Sequence, residues 1–380
     1  MYKRTIKLRS YLQHKSLFLL GPRQTGKSTL LKSEFPEATY IDLLESDTFR
    51  SLSRAPELLR QLVPKTQKLV VIDEVQRLPS LLNEVQLMLD RDPALRFILT
   101  GSSARKLRRG NANLLGGRAL FFNLFPLVSH ELGGEDRILD QVSKGSLPSV
   151  IDSKLAFEDL KAYVGVYLRE EIQAEGLTRS IENFSRFLDF AAHLNAEQMN
   201  YTKIGNDAEI PPRTIKDYVK ILEDTLVAHI LPPYKPTKGR KTVSIEKFYF
   251  FDIGVANALL AKKHIEKGTP DFGKALEHLI FLELHAYLQY TRSDRKLFYW
   301  RTNSQIEVDF VIDGTVAIEV KGTGKVTSKD LKGLAALRDD APIKTALVVC
   351  NESTRRESED NVIIYPAFEF LKDLWSGKII

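Results

Sequence analysis

The 380-residue chain has one cysteine, Cys350, so no intrachain disulfide can form and nothing implies an oxidising compartment. Cys350 follows the apolar run ALVV, where a small buried side chain at a strand end is the expectation. Long hydrophobic runs are missing too: none approaches the roughly 20 residues that a bilayer-spanning helix needs. Basic residues open the chain, but the apolar patch behind them is about five residues, against about 7 to 15 for the core of an export signal. A soluble, cytoplasmic protein with no membrane partner is expected. The seven histidines, His278 and His285 among them, offer no pair with metal-ligand spacing, and a structural role is expected for them. Excess charge of one sign is slight, +6 from 55 basic and 49 acidic residues, so where the cations cluster matters more than their sum. At this length two or three separately packed units are expected.

The most informative stretch is FLLGPRQTGKSTLLKSEF, residues 18–35. Residues 15–20 read as a buried strand, GPRQTG as a turn, and KSTLLKSEF as the helix it feeds. Gly21, Gly26, Lys27 and Ser28 satisfy the phosphate-loop spacing in full. Such a loop aims successive backbone N–H groups at one spot, and the helix N-terminus adds positive potential where β- and γ-phosphates would lie. Lys27 is expected on the phosphate oxygens, Ser28 on Mg²⁺, and Gln24, Thr25 and Thr29 around them. A second run, KLVVIDEVQ at 68–76, is β-rich and ends in Asp73 and Glu74. Asp73 at a strand end suits the Mg²⁺ shell, and Glu74 suits the base that orients the attacking water. Strands are also expected at 40–43, 96–100 and 119–125, with ligands at the carboxyl edge of the sheet.

GPRQTGKSTLL, LVVIDEVQRLP, ILTGSSARKL, LLGGRAL and LFPLVSHEL occur in this order, and together they resemble a large family of prokaryotic AAA-like ATPases. The resemblance implies that Gly21, Gly26, Lys27, Ser28, Asp73 and Glu74 bind and hydrolyse ATP. It also implies that the strand at 96–100 lies between the other two, so that Thr100 or Ser102 touches the γ-phosphate or the lytic water. Arg118, in GGR, is implied as an arginine finger acting on a neighbouring subunit, in a homo-oligomer such as a hexameric ring. No clear second sensor arginine accompanies it. Arg105, Lys106, Arg108 and Arg109 could then track a phosphate backbone.

Turn chemistry in GSLPSVIDSK, 145–154, marks the exit from this unit, and from about 156 to 231 the pattern is helical without repeat or low-complexity tract. Residues 198–227 read as a helix, a polar turn and a second amphipathic helix started by Pro-Pro. Its inward positions are Ile215, Val219 and Leu222, with Arg213, Lys216 and Lys220 toward solvent. This is the outline of a helix-turn-helix, and the family resemblance implies the winged type, with Lys235, Lys238, Arg240 and Lys241 on a wing that contacts DNA phosphates.

From 247 onward the pattern changes to a long helix at 273–288 and then strand-rich chain. Asp309, Glu319 and Lys321 form a D-x9-E-x-K pattern, with Glu277 on the preceding helix, and resemble the PD-(D/E)xK nuclease-like fold. There the carboxylates hold Mg²⁺ and the lysine positions water. The proline of that motif is absent, Val308 standing before Asp309. A two-residue loop at Asp313-Gly314 would put Asp309 and Glu319 on opposite faces; a longer loop is expected instead, with residue 307 opposite 319 and Glu307, Asp309, Glu319 and Lys321 on one face.

The fold class expected is α/β: an AAA-like phosphate-loop ATPase domain at 1–150, a helical winged helix-turn-helix domain at 151–243, and a restriction-endonuclease-like α/β domain at 244–380. The function expected is an ATP- and Mg²⁺-dependent motor on branched DNA, most concretely Holliday-junction branch migration. An ATP-licensed nuclease and an ATP switch on a protein partner are the alternatives.

Overall fold

The computed structural model describes residues 2–103, 115–167, 181–236 and 239–380. Arg105, Lys106, Arg108, Arg109 and Lys238 lie outside the described residues. The chain packs as two compact units: residues 4–126 with 224–227, and residues 127–223 with 228–380 plus the first three.

In the smaller unit, β1 (Ser16–Leu20), β2 (Thr39–Asp42), β3 (Leu69–Asp73), β4 (Arg96–Gly101) and β5 (Ala119–Asn123) form a parallel sheet in the order β2-β3-β4-β1-β5. Every residue of β1 is buried, as a central parallel strand covered on both faces requires. β4 lies between β1 and β3, where the family resemblance placed it. Phe18, Ile72, Leu82, Val85 and Phe97 belong to the core on one side. The turn after β1 leads into α1 (Lys27–Glu34).

The larger unit contains two sheets. A helix α2 (Ile181–His193), a short β6 (Glu197–Gln198), α3 (Tyr201–Ala208), α4 (Pro212–Asp224), β7 (Ala228–Leu231) and β8 (Lys247–Phe250) follow one another, with strand order β6-β8-β7. Asn200 caps α3 by accepting from Lys203 N at 3.0 Å. The α3–α4 turn is tight: a Cβ on Gly205 would lie 2.6 Å from Ile210 O, so no larger residue fits there. On α4, Ile215, Tyr218, Val219, Ile221 and Leu222 are buried, the inward face read from the sequence.

Then come α5 (Pro270–Tyr290), β9 (Leu297–Arg301), β10 (Glu307–Ile312), β11 (Val316–Val320), α6 (Lys332–Asp340), β12 (Thr345–Cys350), β13 (Arg356–Glu357), β14 (Ile363–Pro366) and α7 (Ala367–Trp375). The sheet order is β13-β14-β12-β11-β10-β9, antiparallel from β9 to β11 and parallel across β11, β12 and β14. Cys350 ends β12, fully buried, with its Sγ 3.5 Å from Tyr365 O.

Two observations bear on the expected boundaries. β8 lies beyond residue 243 yet pairs with β6 and β7, and one hydrophobic cluster joins Val142, Ala196, Leu231 and Tyr249 to Leu279, Phe310 and Val349. Residues 127–150, read as the end of the ATPase segment, pack with this larger unit. No described helix is long and apolar enough to cross a membrane.

Candidate functional site

The loop after β1 takes backbone shapes that few residues tolerate. Gly26, the N-cap of α1, has φ 90° and Gln24 has φ 63°. A Cβ on Gly21 would sit 2.4 Å from Leu124 O, so the loop passes β5 at a distance only glycine allows. Thr25 is buried with Oγ1 donating to Pro22 O at 2.9 Å, while Thr29 and Gln24 are exposed. Lys27 is buried, and its Nζ donates to Gly21 O at 2.7 Å and Pro22 O at 3.0 Å. Arg4, which carried no signal in the sequence, fastens the loop from below through Thr25 O at 2.7 Å and Phe125 O at 2.6 Å.

β3 delivers its acids to the same sheet edge. Ser28 Oγ donates to Asp73 Oδ2 at 2.6 Å, bringing together the two residues expected to hold Mg²⁺. Thr100 is fully buried; its hydroxyl donates to Asp73 Oδ1 and accepts from Glu74 N at 3.2 Å. Thr100, one of the two hydroxyls expected near the γ-phosphate or lytic water, thus ties Asp73 to Glu74. Glu74 adopts a left-handed φ of 59°, which turns its side chain away from the strand direction. Gln76 Nε2 then donates to Glu74 Oε2 and to Ser102 Oγ, the latter at 3.2 Å. Ser102 is thus linked through Gln76 to the candidate base. Arg118 pairs through Nε with Asp90 Oδ1 at 2.8 Å, at the amino end of β5 and so across the sheet from its own loop.

The donor set suits a Mg²⁺-nucleotide. The glycine-lined cradle, the amino end of α1, and a hydroxyl adjoining a buried carboxylate are the groups that phosphates and a hard cation require.

Among the expected DNA contacts, Arg213 and Lys216 are exposed on α4, and Lys216 Nζ lies 5.3 Å from the Tyr201 ring centre. Lys235 and Lys241 are exposed. Arg240, also expected on the wing, is exposed but paired. Its guanidinium is bound to Asp340 at 2.9 Å, Asp339 at 3.2 Å and Ala336 O at 2.7 Å, all on α6. The β7–β8 connection runs beside β9, with bridges Pro233 to Tyr299 and Thr242 to Thr302.

The carboxylates of the larger unit do converge. The loop between β10 and β11 has three residues, 313–315, and pairs Ile312 with Val316 and Phe310 with Ile318. Continuing that ladder sets Asp309, not 307, opposite Glu319, a two-residue correction that leaves Glu307, Asp309, Glu319 and Lys321 on one face. Lys321 Nζ meets Glu319 Oε1 at 2.5 Å. Sequence reading missed a further member, Lys247 of β8. Its buried Nζ lies 2.5 Å from Glu307 Oε1, 3.0 Å from Glu277 Oε1 and 3.8 Å from Asp309 Oδ1. Burial, with Glu319 close by, holds the Asp309 carboxyl well above its ordinary range, and burial also lifts Glu319 to about 7. Among the described residues no group of three or more His, Cys, Asp or Glu side chains is arranged to hold a metal ion.

Comparison with known proteins bears on each segment. Residues 13–133 match a family model described as AAA domain, residues 135–266 match a "Domain of unknown function (DUF8612)", and residues 272–370 match a "Domain of unknown function (DUF4143)". A Mycobacterium tuberculosis protein described as uncharacterized is 26% identical over 373 residues, covering 93% of this chain and 80% of its own. An uncharacterized protein of Methanocaldococcus jannaschii is 25% identical over 339 residues, covering 80% and 73%. A solved structure of a Pyrococcus horikoshii signal transduction ATPase with numerous domains and a tetratricopeptide repeat sensor shares 15% identity, 73% of this chain and 48% of that one, at a TM-score of 0.23. A TM-score that low carries no inference. The AAA-domain match, together with the parallel sheet and its loop, supports an AAA-type ATPase.

Proposed function

We propose that the chain hydrolyses ATP at the carboxyl edge of the five-stranded sheet and uses the cycle to remodel branched DNA, most concretely by Holliday-junction branch migration. One observation carries the ATPase part: Ser28, Asp73, Thr100 and Glu74, from three separate segments, form one hydrogen-bonded chain beside the glycine-lined loop. Phosphate oxygens would draw Lys27 Nζ from the carbonyls of Gly21 and Pro22, since an anion is a better partner for an ammonium than a neutral carbonyl. Mg²⁺, held by Ser28 and Asp73, would neutralise charge shared between β- and γ-phosphate oxygens. Glu74 accepts the proton of the attacking water, and Gln76 sets where that carboxylate points. Arg118, across the sheet from its own loop, would reach a phosphate only in another copy, which fits a homo-oligomer such as a hexameric ring.

The DNA part is supported by the order α2-β6-α3-α4-β7-β8 with strand order β6-β8-β7, which suits a winged helix, and by Arg213 and Lys216 exposed near the start of α4. The succession α5-β9-β10-β11-α6-β12 likewise suits a nuclease-like core. ATP turnover by the purified chain, measured with four-way junction, duplex, single-stranded or no DNA, tests the proposal. Stimulation by the junction, lost in Lys27→Ala and weakened by salt, is the expected outcome. Turnover indifferent to every DNA would leave an ATP switch acting on a protein partner. The pairing of Lys220 with Glu223 at 2.8 Å and of Arg240 with α6 favours that second reading, because both cations are already neutralised.

A further inference from the structure

We infer that Lys247 is the resident cation of the carboxylate centre, which is thereby closed to divalent metal and works as an ion-pair junction between β8, α5 and β10. The fold around the centre suggests a magnesium nuclease; its actual donor set does not fit one. Divalent ions hold carboxylate oxygens at roughly 2.0 to 2.6 Å. The Lys247 ammonium, 2.5, 3.0 and 3.8 Å from Glu307, Glu277 and Asp309, lies among the same oxygens such an ion would need.

Withdrawal of that ammonium is opposed from every side. Lys247 is 2% exposed, and β8 is paired on both edges, with Gln198 and Leu231 each opposite Lys247 itself. Its Nζ also lies 5.4 Å from the centre of the Tyr299 ring, and Tyr249 Oη donates to the same Glu277 oxygen at 2.7 Å. Charge points the same way. Glu277, Glu307, Asp309 and Glu319 are four acids; Lys247, Lys321 and Arg301, which binds Glu307 at 2.7 Å, are three cations. Three cations thus already pair with these acids, and a dication would have to displace charge already compensated. One acceptor is left over: Glu319 Oε2 is buried and has no hydrogen-bond partner. Glu319 acts electrostatically on Asp309, Glu277 and Glu307, so the centre is a cation site whose cation is covalently supplied, and removing Lys247 should open it.

The test is Mn²⁺ binding, followed by electron paramagnetic resonance, to the nucleotide-free full chain carrying Asp73→Ala to silence the ATP site. Lys247→Met is expected to bind one equivalent at least tenfold more tightly than the Lys247 chain, and Glu319→Gln added to it should abolish that binding. The Lys247 chain itself should show no Mn²⁺ that Glu319→Gln removes, and no Mn²⁺-dependent DNA cleavage that Glu319→Gln removes. Such binding or cleavage would overturn the inference, and so would a folded Lys247→Met chain that takes up no Mn²⁺. Circular dichroism and melting establish folding. If Lys247→Met does not fold, Lys247→Met/Glu277→Gln, which removes one acid with the one cation, replaces it, and the comparison of the Lys247 chain with its Glu319→Gln variant decides by itself if neither folds.

Discussion

Glu74 would be hard to place correctly without Gln76. Left-handed backbone at a non-glycine residue is costly and persists where neighbours hold it, here Thr100 on the N–H and Gln76 on the carboxylate. A hydrogen bond to a charged group is worth about 1.5 to 3 kcal/mol, and each 1.36 kcal/mol at the barrier is about tenfold in rate. Gln76→Ala should therefore lower kcat for ATP by about tenfold or more with KM little changed; steady-state turnover at saturating and limiting ATP separates the two. A rise in KM alone would mean that Gln76 shapes the nucleotide pocket instead. At this scale the sequence was legible where chemistry sits on consecutive residues. Gly26, Lys27 and Ser28, or Asp73 and Glu74, need only one loop or one strand end to come together. Gln76, Thr100, Arg4 and Lys247 act through partners far away along the chain or around a turn, and nothing in residue spacing announces such pairs.

Among elements, the β10–β11 hairpin shows how much a turn decides. Both strands are buried on both faces, so burial does not fix the ladder's parity; loop length does, and the longer loop expected gave the shared face of Asp309, Glu319 and Lys321 while leaving the register two residues off. Gly314 makes that loop possible: its φ is 65°, and a Cβ there would lie 2.2 Å from Tyr234 Oη. Gly314→Ala should destabilise the larger unit by about 1 to 3 kcal/mol, read from urea unfolding, with part of the loss restored when Tyr234→Ala is added. No restoration would assign the whole cost to backbone strain. On the β7–β8 connection, the pairing of Arg240 was hidden from the sequence for a related reason. Charged residues in a loop read as solvated until the fold brings a countercharge, and α6, a hundred residues on, carries Asp339 and Asp340 to Arg240.

Across the whole molecule, the ATPase sheet was the most legible part, because parallel strands buried on both faces read as unbroken apolar runs. The larger unit was less so, since its core is assembled from the helical segment and the six-stranded sheet together. Glu283 is one of the buried fastenings of that unit: Ser129 N and Oγ donate to it at 2.6 and 2.9 Å, and Trp375 Nε1 at 2.6 Å. Burial nevertheless pushes its carboxyl up to about 7 from 4.5. A pKa raised on folding means the native state binds the extra proton, so stability from this group is full below about 4.5 and declines as pH rises toward 7. Relative to Glu283→Gln, which cannot titrate, the wild-type chain should lose up to about 3 kcal/mol over that window. Melting temperatures of the two proteins from pH 5 to 8 measure it, and a difference independent of pH would show that Glu283 keeps one charge state throughout.

Cys350 has a practical corollary. The only thiol in the chain lies at the end of a central strand of the larger unit, and burial pushes its pKa up, so both access and thiolate are denied to reagents while that sheet is intact. The protein therefore carries its own clock for the opening of that unit, ticking by alkylation only when β12 and β14 part. It is equally a ready scaffold for single-site labelling, because a cysteine introduced on the surface would compete with no reactive native one.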